Sequence, residues 1–505
     1  MNKRQIIFFV FVFAVLLAGR ILLAGKGYLE DPDEFLFIWI DMHLADFVHL
    51  STWAHAIGEM QAQLPELATR LAEYISLLPI SYATGRQMLS ADMLCLMGMY
   101  NIGVSLLILY VFHRILIKLG FTFEFSLTGT LLLGTLVNFN LYTRHILPYD
   151  QALLWQLLAL NLLLREEQRP RTLMLAGLLS AIGLTNYLGC FMFIFINVGF
   201  LTLRHYRLGK PVIKSVAYFV APFIVLVLFY EAIMRHAGRS YLGFIFDYSK
   251  TIEGEGSNEE GLYFIGLYFY LVEKWWGIVL LLLSTAGGLS LLRLKDQYNA
   301  KLLLVLGAIA YLTFGIYVVF FRQMVFEGRV LHIYYPFVIM GVVGFLQQQK
   351  LWRPGVVLWS MVLLACINYG FVIKDLNAIE YPRHAIYKYH LYKKKGRTDF
   401  NYYQELSPAV YYSYRGRYHI DSTGTAILAP GHYTLVNICF LPHYPDTLLN
   451  SYKPWQKSAG DSVIFEEPHF QSHPAYTLEY CSRHGRQFFI KNAFKIRVVR
   501  TQIKS

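Results

Sequence analysis

The chain has 505 residues, of which 56% are hydrophobic and only 15% charged, with 45 Lys and Arg against 33 Asp and Glu for a net charge of +12. That charged share is well below the roughly 25% of an ordinary soluble domain, while 37 Phe, 37 Tyr and 8 Trp are too many for a disordered chain. A single soluble domain, a disordered chain and a collagen-like repeat are excluded. A polytopic membrane protein with a polar tail remains, because apolar runs recur up to about residue 373 and then stop.

A helix needs about 20 mostly apolar residues to cross a bilayer, and eleven runs approach that length. They cover 6–24, 93–112, 121–141, 152–164, 173–188, 191–203, 215–233, 275–292, 302–321, 330–346 and 356–373. The fourth to sixth are short enough to be half-length or oblique helices. The first, behind Met1-Asn-Lys-Arg4, has the outline of a signal peptide. Arg20 interrupts it and no A-x-A cleavage site follows, so a retained helix is expected.

With the N-terminus inside, short cytoplasmic loops hold sixteen Lys and Arg, from Lys3 and Arg4 to Lys350 and Arg353. The opposite short loops hold seven: Arg144, Arg235, Arg239, Lys250, Lys274, Arg322 and Arg329. Positive charge is retained in the cytoplasm, so the N-terminus is expected there and residues 374–505 outside. Residues 1–373 form the expected membrane domain, with 25–92 as a long first extracytoplasmic loop carrying interfacial helices and 234–274 as a second outward loop. In the latter, Glu253 to Glu260 reads as a lid over a bound substrate or equally as a solvated loop.

The tail carries 18 Lys and Arg against 10 Asp and Glu, which supplies +8 of the net +12. It suits anionic headgroups or an anionic lipid-linked substrate, and equally a plain basic domain. Segments Thr434–Leu441 and Arg486–Val499 are β-prone, so a small α+β or β-rich extracytoplasmic domain is expected. Of five cysteines, Cys439 and Cys481 lie in the tail, as one disulfide or two buried thiols.

Three clusters of ionisable residues fall on the outward side. The first is Glu30-Asp31-Pro32-Asp33-Glu34, where Asp31, Pro32 and Glu34 suit the start of a helix and Asp33 is left without a structural task. The second is Tyr142-Thr-Arg144-His145-Ile-Leu-Pro148-Tyr149-Asp150, and the third runs from Arg322 to Pro336 through Arg329 and His332. Arg329 and His332, three apart, share a helix face. Each cluster alone fits a helix end or a snorkelling side chain. Together they provide carboxylates that take a proton and cations that hold a phosphate.

This order of motifs resembles the GT-C superfamily of polytopic glycosyltransferases, in particular the branch of dolichyl-phosphate-mannose protein mannosyltransferases and the aminoarabinose transferase of lipid A. The resemblance covers residues 1–373 and implies a mainly α, GT-C-like fold of about eleven transmembrane helices. It implies Asp33 as catalytic base, with Glu34 beside it and Asp150 as a second acid, and Arg329 at the donor phosphate, joined by Arg144 and His332. The chain reads Arg-Val-Leu-His from Arg329 where such proteins more commonly have Arg-Tyr-Leu-Leu. The implied donor is a polyprenyl-phosphate sugar of undecaprenyl or dolichyl type, and the acceptor an envelope lipid, glycan or protein. The expected home is the bacterial inner membrane among its lipids, and nothing points to nucleic acid. Some relatives use a divalent metal; His43, Asp46 and His49, with His55, are weak candidate ligands more simply read as surface residues of an interfacial helix. A transporter, or a non-catalytic binder of lipid-linked saccharides, is the alternative. The transporter would place ionisable residues midway along helices or break its helices.

Overall fold

The computed structural model describes residues 2–23, 79, 83, 91–144, 148–236, 238, 240–243, 245, 263–293, 297–321, 328–348 and 354–378, and four strands within 400–500. Among these the fold is mostly helical. In chain order come α1 (Lys3–Leu23), α2 (Ala91–Lys118), α3 (Phe123–Gly134), α4 (Val137–Leu141), α5 (Tyr149–Leu163) and α6 (Pro170–Asn186). They are followed by α7 (Phe191–Arg207), α8 (Val212–His236), α9 (Tyr263–Arg293), α10 (Tyr298–Ile316), α11 (Gly328–Gln348) and α12 (Pro354–Ala378). Four strands, β1 (Phe400–Tyr402), β2 (Tyr433–Asn437), β3 (Ser462–Phe470) and β4 (Phe494–Arg500), pair in the order β1-β2-β4-β3.

Among the described residues eight helical segments are long and apolar enough to cross a membrane, and the chain is an integral membrane protein. The other helical runs are shorter: α5, α6, and the third expected span, which is divided into α3 and α4. The sixth run is longer than expected, because a 3₁₀ turn at Leu188–Cys190 extends α7 to a full span, Leu188–Arg207. The expected outward loop 234–274 is also shorter than its sequence bounds, since α8 continues to His236 and α9 begins at Tyr263.

Contacts fix how the helix ends are arranged. Gln5 at the start of α1 donates to Glu124 at the start of α3, and Lys118 at the end of α2 donates to Asn161 O at the end of α5. Thr122 N donates to Gln347 at the end of α11, and Arg204 near the end of α7 donates to Arg165 O. One end of the bundle therefore gathers Lys3, Arg4, Lys118, Arg165 and Arg204, and Asp150 lies at the opposite end. The central helix is α11, enclosed on most sides, whereas α8 exposes most of its apolar surface.

Small residues allow α11 to approach α9 closely. A Cβ on Gly287 would stand 1.9 Å from Gly341 O, and one on Gly341 would stand 2.3 Å from Ser284 Oγ. Without a hydrophobic drive between helices in lipid, such close backbone packing is a principal source of association. A polar tie joins α5, α6 and α7: Asn197 Nδ2 donates to Gln156 Oε1 (3.2 Å) and Ser180 Oγ (3.1 Å), and Gln156 Nε2 donates to Ser180 O (2.9 Å).

Two backbone interruptions shape the end that bears Asp150. Between α3 and α4, Leu136 turns to extended backbone (φ −70°, ψ 148°). In α9, Lys274 adopts φ 56°, ψ −145°, so that the helix is kinked there. Burial requires the freed backbone groups at such breaks to find partners. Buried Arg20 reaches Gly134 O (3.4 Å) at the end of α3, along with Ser105 Oγ (3.0 Å) and Leu16 O (3.3 Å). Asn140 Nδ2 donates to the same Gly134 O (3.0 Å) and to Leu136 O (2.7 Å). Glu273 accepts from the first amides of α4.

Candidate functional site

Asp150 lies in the first turn of α5, behind Pro148, where the helix dipole favours a carboxylate. It is 2% exposed. On one side Thr143, in the 3₁₀ turn that continues α4, donates to Phe139 O (2.7 Å) and reaches Asp150 Oδ2 at 3.2 Å. On the other side His332, in the second turn of α11 and fully buried, brings Nε2 to 2.8 Å from Asp150 Oδ1. That approach is off the line of a good hydrogen bond, and neither ring nitrogen has another partner among the described residues.

Aromatic rings fix the imidazole. Phe139 lies 4.4 Å from it by ring centroids, and Tyr142 meets it nearly edge-on at 5.1 Å. Tyr142 packs against Tyr149 (5.0 Å), and Tyr149 against Tyr187 at the end of α6 (4.8 Å). Gln151 donates to Asn101 (2.9 Å), anchoring the start of α5 to α2. The result is an imidazole and a carboxylate in close contact, shielded from the solvent that would otherwise weaken their interaction.

Of the residues singled out from sequence, Asp150 and His332 are brought together. His332 was expected at a donor phosphate; in the structure its ring stands against Asp150. Arg144 falls in the 3₁₀ turn beside Thr143, and Arg329 in the first turn of α11, both placed by backbone alone. Asp33, Glu34, His43, Asp46, His49 and His55 lie outside the described residues, as do Cys439 and Cys481. Cys190 and Cys366 are free thiols. Among the described residues no group of three or more His, Cys, Asp or Glu side chains is placed to hold a metal ion.

Sequence reasoning missed Glu273 and Thr143, and it used Arg20 only to argue against a signal peptide. A buried charge inside an apolar run was the available signal for Arg20. Glu273 gave less, because it stands with Lys274 at the edge of an apolar stretch and so resembles an ordinary interfacial pair. Among known proteins the chain matches no family, no curated sequence and no solved structure.

Proposed function

We propose that the protein is an inverting glycosyltransferase of GT-C-like fold, transferring a sugar from a polyprenyl phosphate to an envelope lipid, glycan or protein. It resides in the bacterial inner membrane with the N-terminus in the cytoplasm and residues 374–505, as an α+β or β-rich domain, outside. The observation that carries this proposal is the contact of Asp150 with His332. It joins the two motif segments, 142–150 and 329–336, at the end of the bundle away from the basic N-terminus. A transferase that takes its donor from the membrane needs acid and cation there.

In the proposed reaction the acceptor oxygen or nitrogen attacks the anomeric carbon as the carbon–oxygen bond to phosphate breaks. Asp33 takes the acceptor's proton, the bonding pair leaves with the polyprenyl phosphate, and Arg329 and Arg144 balance its charge. A single displacement inverts the anomeric centre. Asp150 orders the second motif, and His332 orders Asp150.

The transporter alternative gains one observation, the α3–α4 break with buried Arg20 and Glu273 beside it. The test is transfer of radiolabelled sugar from an undecaprenyl-phosphate donor by the full-length protein in nanodiscs, with Asp33→Asn and Asp150→Asn. Losses of about 10²-fold or more are expected for Asp33→Asn, the scale of a general base. Undiminished transfer would remove Asp33 from the mechanism, and flux of a lipid-linked saccharide without transfer would favour the transporter.

A further inference from the structure

We infer that Glu273 is a positioning residue for the Asp150–His332 pair, acting through α4 and α11; only the activity arm of its test rests on the function proposed above. Glu273 is 4% exposed. Its Oε2 accepts from Val137 N at 2.9 Å and its Oε1 from Asn138 N at 3.3 Å. Those are the first two amides of α4, which has five residues. A helix that short does not persist unaided, and Leu136, at its N-cap position, has no side-chain oxygen to offer. Glu273 supplies the missing cap from another helix.

What α4 holds is the site. Phe139 lies against the His332 ring, Tyr142 meets that ring edge-on, and Thr143 reaches Asp150. Glu273 also lies beside Tyr335, whose hydroxyl is not aligned for a hydrogen bond; Tyr335 follows His332 by one turn on α11 and is itself packed edge-on against Phe269 at 5.7 Å. One carboxylate thus caps α4, which frames the pair, and lies beside α11, which carries His332, without touching either member. The kink directly after it turns Lys274 outward, where its amine pairs with Asp375 on α12. The kink thus separates the directions of these consecutive residues, Glu273 inward and Lys274 outward. The same buried pair of acceptors in a purely structural cap would be indifferent to what lies beyond Thr143.

Hydrogen–deuterium exchange of the full-length protein in nanodiscs separates the two roles, using Glu273→Ala, Glu273→Gln and Thr143→Val. In Glu273→Ala, amides of 137–144 are expected to exchange at least ~10-fold faster while α5 and α12 stay protected. Transfer from the polyprenyl-phosphate donor is expected to fall about 10-fold or more in kcat, with donor KM changed less than about 3-fold. Glu273→Gln retains one acceptor oxygen and recovers part of both. Thr143→Val, which leaves the cap intact, lowers kcat without faster exchange at Val137 or Asn138. Unchanged exchange at 137–144 in Glu273→Ala overturns the inference, as does altered exchange with full kcat. If Glu273→Ala does not fold, wild-type exchange at Val137 and Asn138 in Glu273→Gln overturns it. If the wild type transfers no sugar, the glycosyltransferase proposal fails, and unchanged exchange at 137–144 in Glu273→Ala still overturns the inference.

Discussion

Lys274 is the one described residue other than glycine with a positive φ. At φ 56°, ψ −145° it lies near the first central position of a type II′ turn, about 60°, −120°, which glycine fills by preference. A side chain in such a region carries about 1–3 kcal/mol of strain. Lys274→Gly removes it, against about 0.5–1 kcal/mol for the greater freedom glycine loses on folding. It also loses the pair with Asp375, in which the lysine side chain is 59% exposed, and which is therefore worth about 0–1 kcal/mol. Lys274→Ala loses the same pair and keeps the strain. The comparison of the two variants cancels the ion pair and leaves glycine ahead of alanine by about 1 kcal/mol at mid-range, with the wild type between or level with the glycine variant. Buried Cys190 provides the assay: its labelling by a thiol reagent at fixed temperature follows opening of the bundle. A difference of about 1 kcal/mol is roughly a fivefold difference in labelling. Faster labelling of Lys274→Gly than of Lys274→Ala would show that the backbone at 274 is not strained, and the kink would need another explanation.

Gly287→Ala is expected to weaken the α9–α11 contact by about 1–3 kcal/mol, because its Cβ would stand 1.9 Å from the backbone oxygen of Gly341. Gly288→Ala, one residue on with nothing within 4 Å, is expected to be neutral or slightly stabilising in the same labelling assay. Tyr369→Phe removes a hydroxyl that lies 3.1 Å from Asn140 Oδ1 and 3.3 Å from Leu16 O. It is expected to lower stability by about 0.5–1.5 kcal/mol, read as faster Cys190 labelling, with exchange increased first at Asn140 and its neighbours.

Hydropathy alone located the helices, since each of the eleven apolar runs coincides with helical structure. It did so because lipid demands that every span satisfy its own backbone, which ties composition to helix directly. It could not locate the α3–α4 break. The sequence Leu133-Gly-Thr-Leu-Val137 holds no proline, and reads as one continuous span. The break is held by Arg20, 114 residues before Gly134, and by Glu273, 136 residues after Val137, partners that no local window contains. The site was half legible for the same reason. Asp150 stands out as an acid at a helix start and His332 as an imidazole on an apolar helix. That they face each other depends on how α5 and α11 pack, and that the pair is framed by Phe139, Tyr142 and Thr143 depends on the break.

The charges at that break also bear on enzyme against transporter. The carbonyl end of a helix carries partial negative charge and the amide end partial positive charge. At the end of α3 the counter-charge is Arg20, and at the start of α4 it is Glu273. In transporters with discontinuous helices those ends face the cavity and bind the substrate or the coupling ion. Here both are occupied by side chains of the protein itself, in hydrogen bonds whose loss would leave buried polar groups unpaired at about 1–3 kcal/mol each, more for the charged ones. To serve a moving solute, the break would have to surrender both Arg20 and Glu273 in every cycle. Kept closed, it does one thing well, which is to hold a five-residue helix and the turn behind it still. That stillness suits the reaction centre proposed above, and a transporter would instead show exchange at 137–144 that rises during turnover.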